Sequence, residues 1–588
     1  MFKTIGFQPS EYQKIIFDFI TNGIGNAVIN AKAGSGKTTT LVEAMKLINQ
    51  KEKVLFVAFN KAIEEELRSR LDGYNNVNVR TYHGLGYSIL RENTGKNKSL
   101  DVNEYKYVSY INKNILTLSE GCYKLNDNEM RSYKANIKQL VDFARFNLSQ
   151  SVEELNSLCD KYSITPILDE CDVVLKILEW GKNNFDEIDY TDMIWFCIEH
   201  DYETRYFKCD FILIDEAQDS SIMQQALIKK CYKRGTRFIA IGDEHQCINA
   251  FAGADQDAFN KFKSEPNTLL LELPITYRCP KKIIQHVNDV TGIKMLSGPN
   301  AIEGVINYDV NPYDVNGNDM VLCRNTAHLV KLYMKYNRVN KKSYLKGRNI
   351  GETFKTLIKQ TGKKVLSLDM KCDGVFPRLY EMLFNTINKE IELTGMDYND
   401  VINTSNVNDI IDTIKALEAL SEGILTTSEL LAKIDIIFSD EEKDGICLST
   451  IHKAKGLEAD NVYILCRSLI PSKYARKEWE IVAEDNLLYV ALTRAKKRLN
   501  YISEKLFPAN LFGDNSNLID ELEVQRNRMN EALKIKSKVI SSSSVLTRSE
   551  QISVDAKRIM NKGDIKTKQT NDKKRKSIGG NKFAKLLK

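Results

Sequence analysis

The chain is 588 residues long, 43% hydrophobic and 28% charged, a globular composition spread over more than one domain. Its net charge of +6 permits a polyanionic partner without demanding one. The 12 cysteines include no Cys-x-x-Cys pair and the six histidines lack metal spacing, which argues against a disulfide framework or a zinc site. No signal-peptide pattern follows Met1 and no apolar run reaches membrane-spanning length, so a soluble intracellular protein is expected.

In chain order, Ser10 and Gln13 stand three apart ahead of an amphipathic stretch over residues 15–20. That spacing is a capping box, although the Gln13 amide also suits the donor and acceptor of an adenine edge. Residues 26–30 read as a buried strand, and residues 41–48 carry apolar positions at helical spacing. Between them runs Ala31-Lys32-Ala33-Gly34-Ser35-Gly36-Lys37-Thr38-Thr39-Thr40. Strand, glycine loop and helix together make a phosphate-binding loop. Gly34 and Gly36 let the backbone curl so that successive N–H groups point at an anion. The start of the helix adds its dipole. Lys37 supplies a charge for the β- and γ-phosphates, and the Thr38 hydroxyl a magnesium ligand.

A second buried strand over residues 54–59 ends at Asn60-Lys61, and a helix follows over residues 64–70. A third strand over residues 77–80 runs into Thr81-Tyr82-His83-Gly84. Small polar residues just past strand ends are where open α/β sheets hold ligands, whereas a lone loop histidine is more often simply solvated. Residues 91–205 change character, being rich in Asn, Lys, Glu and Leu at helical spacing, and read as a mostly helical insertion. An apolar strand then ends in Asp215-Glu216-Ala217-Gln218-Asp219. Behind a phosphate loop, this acidic tip assigns Asp215 to magnesium and Glu216 as the base that takes a proton from attacking water.

Another strand, over residues 237–241, meets Gly242-Asp243-Glu244-His245-Gln246, where Gln246 is set to sense a terminal phosphate. Phe251, in a Gly/Ala-rich loop, suits stacking on an unpaired base or core packing. Tyr277 suits stacking on a purine, and Arg278 suits a γ-phosphate finger. Strand-like runs return over residues 320–324, a helical segment intervenes over residues 352–443, and strands follow over residues 445–450 and 461–465. A helix over residues 485–497 carries Tyr489, Thr493 and Arg494. After Ser541 come a serine run and Lys573-Lys574-Arg575-Lys576, which read as a disordered tail with salt-dependent attraction to phosphates.

The ordered motifs resemble those of the UvrD/Rep/PcrA family of superfamily 1 DNA helicases. The loop at residues 31–40 is followed in family order by Phe59-Asn60-Lys61-Ala62, Thr81-Tyr82-His83, the acidic tip at residues 215–219, Gly242-Asp243-Glu244-His245-Gln246 and Tyr277-Arg278. Thr450-Ile451-His452-Lys453-Ala454-Lys455-Gly456-Leu457-Glu458 and Leu488-Tyr489-Val490-Ala491-Leu492-Thr493-Arg494-Ala495 complete the set. The resemblance spans residues 7–506. It implies an α/β fold of two RecA-like parallel-sheet cores, each with a mainly helical insert. The first core takes residues 1–90 and 206–278, with its insert at 91–205. The second takes residues 279–351 and 444–510, with its insert at 352–443; residues 541–588 form the basic tail.

The resemblance also implies ATP with Mg2+ as cofactors and single-stranded and duplex DNA as partners. Gln13, Ala33, Gly34, Ser35, Gly36, Lys37, Thr38, Thr39, Tyr277 and Glu458 would hold the nucleotide, and Thr38 and Asp215 the metal. Lys37, Asp215, Glu216, Gln246, Arg278 and Arg494 would act in hydrolysis. Phe59, Asn60, Thr81, His83, Phe251 and His452 would contact the strand. The family places aromatic or arginine residues where Asn249, Ala250 and Ala252 stand, and often an arginine in the segment that is here Glu484-Asp485-Asn486. The implied activity is a 3′-to-5′ ATP-dependent DNA helicase; the alternative is a translocase that strips bound proteins and unwinds weakly. Intact Lys37, Glu216 and Arg494 speak against a nucleotide-binding module without turnover. Replication, repair or recombination proteins are possible partners, a membrane is not, and the expected location is cytoplasmic or nucleoid-associated, or nuclear in a eukaryotic setting.

Overall fold

The computed structural model describes residues 8–95, 100–248, 255, 257–369, 372–439, 444–509, 524 and 526–527. Phe251, the residues around it and the 541–588 tail lie outside the described residues.

The first sheet takes β1 (Asn26–Ala31), β2 (Val54–Ala58) and β3 (Val77–Thr81) from the chain's start. A helical insert then intervenes, carrying the two-residue strands β4 (Asp101–Val102) and β5 (Glu187–Ile188), which pair with each other. The sheet resumes with β6 (Cys209–Ile214), β7 (Tyr232–Gly242) and β8 (Thr268–Leu273). All six strands are parallel, in the order β3-β2-β6-β7-β1-β8. Parallel strands need crossovers that cover both faces, so successive residues are apolar on both sides. In β1, Val28 joins Leu55, Val57 and Ile212 on one face, while Ala27, Ile29 and Ala31 join Phe56 and Leu213 on the other.

A short ribbon, β9 (Ile275–Thr276) with β10 (Leu296–Ser297), leads to the second sheet. It comprises β11 (Val305–Val310), β12 (Met320–Cys323), β13 (Ser343–Lys346), β14 (Phe438–Ser439), β15 (Ile446–Thr450), β16 (Ala459–Ile464) and β17 (Ala495–Ile502). These strands are also parallel, in the order β11-β17-β16-β12-β15-β13-β14. Its helical insert begins at Arg348, four residues before the expected start at 352, and its last helix ends at Ile437.

Each insert shares a hydrophobic core with one face of its sheet. Ile111, Tyr133, Ile137 and Ile177 of the first insert belong to the same buried cluster as Val57 and Ile214. Phe376, Leu383 and Leu417 of the second belong with Val321 and Leu448. The remaining face of the second sheet, including Leu322, Ile464 and Leu499, packs with Ala33 and Ile248 of the first core.

One expectation is corrected here. The helix placed over residues 485–497 runs over Glu478–Leu492, and residues 495–502 form β17. Lys496, Lys497 and Arg498 read as helix formers, but β17 pairs on both sides, with β11 and β16, and buries Leu499, Tyr501 and Ile502. Sheet pairing overrides local propensity.

The first insert is pinned by a buried charge cluster. Lys106, with a fully buried side chain, donates to Asp192 at 2.7 Å and to the carbonyls of Gly181 and Asn184. Arg145 donates to Asp192 at 3.0 Å and to both oxygens of Asp189 at 2.9 and 2.8 Å. Tyr107 donates to the same Asp192. Removing one partner would strand the buried cations, so Asp192→Ala should cost about 3–5 kcal/mol. Urea unfolding followed by a probe in the insert checks this; an unchanged midpoint would contradict it.

Candidate functional site

The motif residues gather at the carboxyl ends of the strands, where a parallel sheet leaves its crevice. A cavity of about 1970 Å³ opens there between the two cores. Gly34, Ser35, Gly36, Lys37, Thr38 and Thr39 line it from the first core. The glycines are required by geometry: Gly34 has φ +71° and Gly36 φ +80°. A Cβ at Gly34 would sit 2.6 Å from the Arg278 Cβ and 2.7 Å from the Thr276 hydroxyl. Gly36 caps the helix Lys37–Met45, so free N–H groups and the helix dipole point into the cavity. The Ser35 hydroxyl is buried and, among the described residues, has no hydrogen-bond partner.

At the tip of β6, Asp215 is 1% exposed and accepts from the Thr38 hydroxyl at 3.2 Å. Hydroxyl and carboxylate oxygens side by side are a donor set that suits a hard divalent cation. Burial, followed by the neighbouring Glu216 charge, pushes the Asp215 carboxyl upward. Glu216 lies 3.4 Å from the Lys37 ammonium and accepts from the Gln218 amide at 2.6 Å. Burial opposes its charge, but Lys37 and Lys455 outweigh it and hold its carboxyl low. Its backbone adopts φ +51°, a left-handed turn uncommon for a side chain of this size and typical of functional sites. Gln246 is 5% exposed, lines the cavity, and donates to Asp243 at 2.7 Å.

Two arginines face the same space. Arg278 donates to Glu458 at 2.6 Å, and both line the cavity with the half-exposed Tyr277. Arg494, just past the end of the Glu478–Leu492 helix, is 1% exposed and also lines it. Its guanidinium donates to the carbonyls of Val490 and Leu457 and to the Thr493 hydroxyl. Among the described residues it has no carboxylate within ion-pair distance. Burial, then the like charge of Arg278, pulls its pKa down to about 10, still cationic at neutral pH. A buried guanidinium held by neutral groups, in a cavity that Arg278 and Lys37 also line, has the chemistry that suits a polyanion.

Other motif residues have local duties. Gln13 is 2% exposed; its carbonyl accepts from the Ser10 N–H at 2.9 Å and its amide donates to Thr40 at 3.0 Å. The capping box is present, and it is Ser10, Glu11 and Lys14 that line the cavity. Ala33 is buried, and its N–H is taken by Tyr489. Asn60 and Thr81 cap the helices that follow them. Phe59, 40% exposed, and Asn60 line the cavity with His452 from the second core. His83 is exposed, its ring 6.3 Å edge-on from Tyr190 of the first insert.

Contacts across the cleft involve residues to which no role was assigned from sequence. The Tyr489 hydroxyl accepts from the Ala33 N–H at 2.9 Å and donates to Asp243 at 2.9 Å. Lys455 donates to Asp219 at 2.5 Å and to the Gln246 carbonyl at 2.6 Å. Asn486, in the segment where the family often has arginine, donates to the Cys247 carbonyl at 3.0 Å. Their one sequence signal is membership of, or proximity to, the motif strings.

The sequence is similar to those of known helicases. The model of the UvrD/REP helicase N-terminal domain matches residues 14–267, and that of the UvrD-like helicase C-terminal domain matches residues 445–502. The chain is 25% identical to the F-box DNA helicase protein 1 of Schizosaccharomyces pombe over 83% of its length, spanning 56% of that protein. It is 22% identical to the ATP-dependent DNA helicase Rep of Buchnera aphidicola, covering 82% of this chain and 92% of the relative. It is likewise 22% identical to the ATP-dependent DNA helicase PcrA of Bacillus subtilis, covering 83% and 82%. With both models matched in order and their motifs converging on one cleft, the chain belongs to the UvrD/Rep/PcrA-like helicase family.

Proposed function

We propose that this protein is an ATP-dependent DNA helicase that moves 3′-to-5′ on single-stranded DNA by closing and opening its two cores around ATP. The observation that carries the reading is the pair Arg278 and Arg494 in the same cavity as Lys37, Thr38 and Glu216, with Arg494 buried and lacking a carboxylate. The glycine-loop N–H groups and Lys37 bind the β- and γ-phosphates, and Tyr277 offers its exposed ring to the base. Thr38 and Asp215 would hold Mg2+, which neutralises phosphate charge when bound. Glu216, kept ionised by Lys37 and Lys455, takes a proton from the attacking water while Gln246 orients toward the terminal phosphate. The arginines stabilise charge on the transferred group.

Because Arg494 belongs to the second core and Lys37 to the first, a bound triphosphate holds the cores together and its cleavage weakens that hold. Strand contacts at Phe59 and His83 on one core and His452 on the other then grip alternately. Stacking tolerates any base, so stepping is blind to sequence. The 3′-to-5′ polarity rests on the family alone. A translocase that chiefly displaces bound proteins is the second reading, favoured by a second insert built of only a few helices between Arg348 and Ile437.

Lys37→Ala or Glu216→Gln should abolish strand-stimulated ATP hydrolysis; full activity in either would refute the site. Arg494→Ala should lower kcat by roughly 10³-fold or more while a fluorescent ATP analogue still binds, as read by stopped-flow turnover beside equilibrium titration. Duplexes with a 3′ or a 5′ tail test direction. Only the 3′-tailed substrate should be unwound, and displacement of a bound protein without unwinding would favour the second reading.

A further inference from the structure

The insert of the first core touches the second core at a point remote from the nucleotide cavity. The insert helix Val152–Tyr162 ends there, with Ser163 in a left-handed cap at φ +54°. Its terminal carbonyls lack partners within the helix. The Lys161 carbonyl accepts from the Trp479 indole N–H at 2.9 Å, and Lys477 donates to the carbonyls of Asp160 and Lys161. A cation at a helix C-terminus also meets the negative end of the dipole. The Tyr162 ring lies 6.2 Å from that of Trp479. The same loop is tied to the second insert, where Ser405 donates to the Tyr474 carbonyl at 3.1 Å and Arg476 lies 3.7 Å from the Asp400 carboxylate.

Side-chain contacts on each core connect the neighbourhood of this contact with the strand-contact residues. On the first-core side, Trp479 meets Tyr162, which stacks on Phe143 at 4.0 Å. Arg145, one helical half-turn on, grips Asp189, and the adjacent Tyr190 abuts His83. On the second-core side, the Ser472 N–H donates to Glu484, which accepts from Arg324 at 2.8 Å. Arg324 lies close enough to His452 to disfavour, after burial, its protonation. The two cores are joined again at the seam made by Tyr489 and Asn486. The insert, the Trp479 contact and the seam thus close a ring of contacts, with His83 on one core and His452 on the other.

We propose that the Asp160–Tyr162 helix end and the Lys477–Trp479 turn form a clasp that encloses the single strand bound between His83 and His452, so that a strand without ends is topologically captured while the clasp is shut. This rests on the DNA reading above. The clasp residues take no part in hydrolysis. Their contribution is to residence on the strand, and the clasp must open for the protein to load on a strand lacking a free end.

The test is capture on circular DNA. In a Cys372→Ser background, Cys372 being the exposed cysteine among the described residues, Lys161→Cys and Lys477→Cys are joined by a short bismaleimide after the full-length protein has bound a single-stranded circle. The cross-linked protein should stay on the circle through a high-salt wash that strips uncross-linked protein, and should leave a linear strand of the same length. Equal loss from circle and line would overturn enclosure. Failure of the uncross-linked protein to bind a linear single strand at low salt would overturn the DNA reading, and the clasp with it. Trp479→Phe, which keeps a ring but loses the indole N–H, should leave strand-saturated ATP turnover unchanged and speed dissociation from single strands roughly fivefold. An unchanged dissociation rate, read by stopped-flow, would also overturn the clasp.

Discussion

Everything functional in this molecule depends on how two separately folded sheets meet, and one phenol of the second core bonds the first core twice. The Tyr489 hydroxyl takes the Ala33 N–H of the phosphate loop and gives its proton to Asp243, which in turn holds the Gln246 amide. Buried, at a distance of 2.9 Å on both sides, the hydroxyl has its donor and acceptor used together. Separating the cores at this point breaks both bonds, because Ala33 and Asp243 lie on one core and their shared partner on the other. The apolar surface around it, Ala33 and Ile248 against Leu322, Leu488 and Leu499, supplies the rest of the adhesion without fixing direction. Polar bonds set the register of the seam, and apolar contact sets its strength.

The electrostatics of the cleft follow from that register. Cations enter from three places: Lys37 from the phosphate loop, Arg278 from the junction and Arg494 from the second core. Glu216 and Asp215, one residue apart, are pushed in opposite directions because Lys37 and Lys455 bear on Glu216 while burial dominates at Asp215. Lys37 is balanced by Glu216 and Arg278 by Glu458, whereas Arg494 has no carboxylate within ion-pair distance among the described residues. That imbalance is tolerated because neighbouring carbonyls and hydroxyls fix Arg494 in place.

Much of this was legible in the chain. The glycine loop between strand and helix and the acidic strand tip could be read because each is a short run with clear flanks, and the fold class followed from alternating strands and helices. Gln13 is legible as a cap because Ser10 and Gln13 satisfy each other locally. The error at residues 493–497 arose where basic residues of high helix propensity lie in a strand paired on both sides; only the sheet as a whole reveals that. β8 and β11 escaped notice because three of six residues in the first and four of six in the second are exposed, which dilutes the apolar signal. Contacts such as Trp479 with Lys161 join residues more than 300 apart through a backbone carbonyl, which leaves no trace in residue type.

Both inserts share their hydrophobic clusters with the sheets they interrupt. Ile137 and Val57 belong to one core, as Phe376 and Val321 belong to another. An insert of this kind cannot be cut away like a loop, since its removal would open a whole face of a parallel sheet to water. Each half of the molecule should therefore melt as a single cooperative block, and changes of insert length can accumulate only on the side facing away from the sheet.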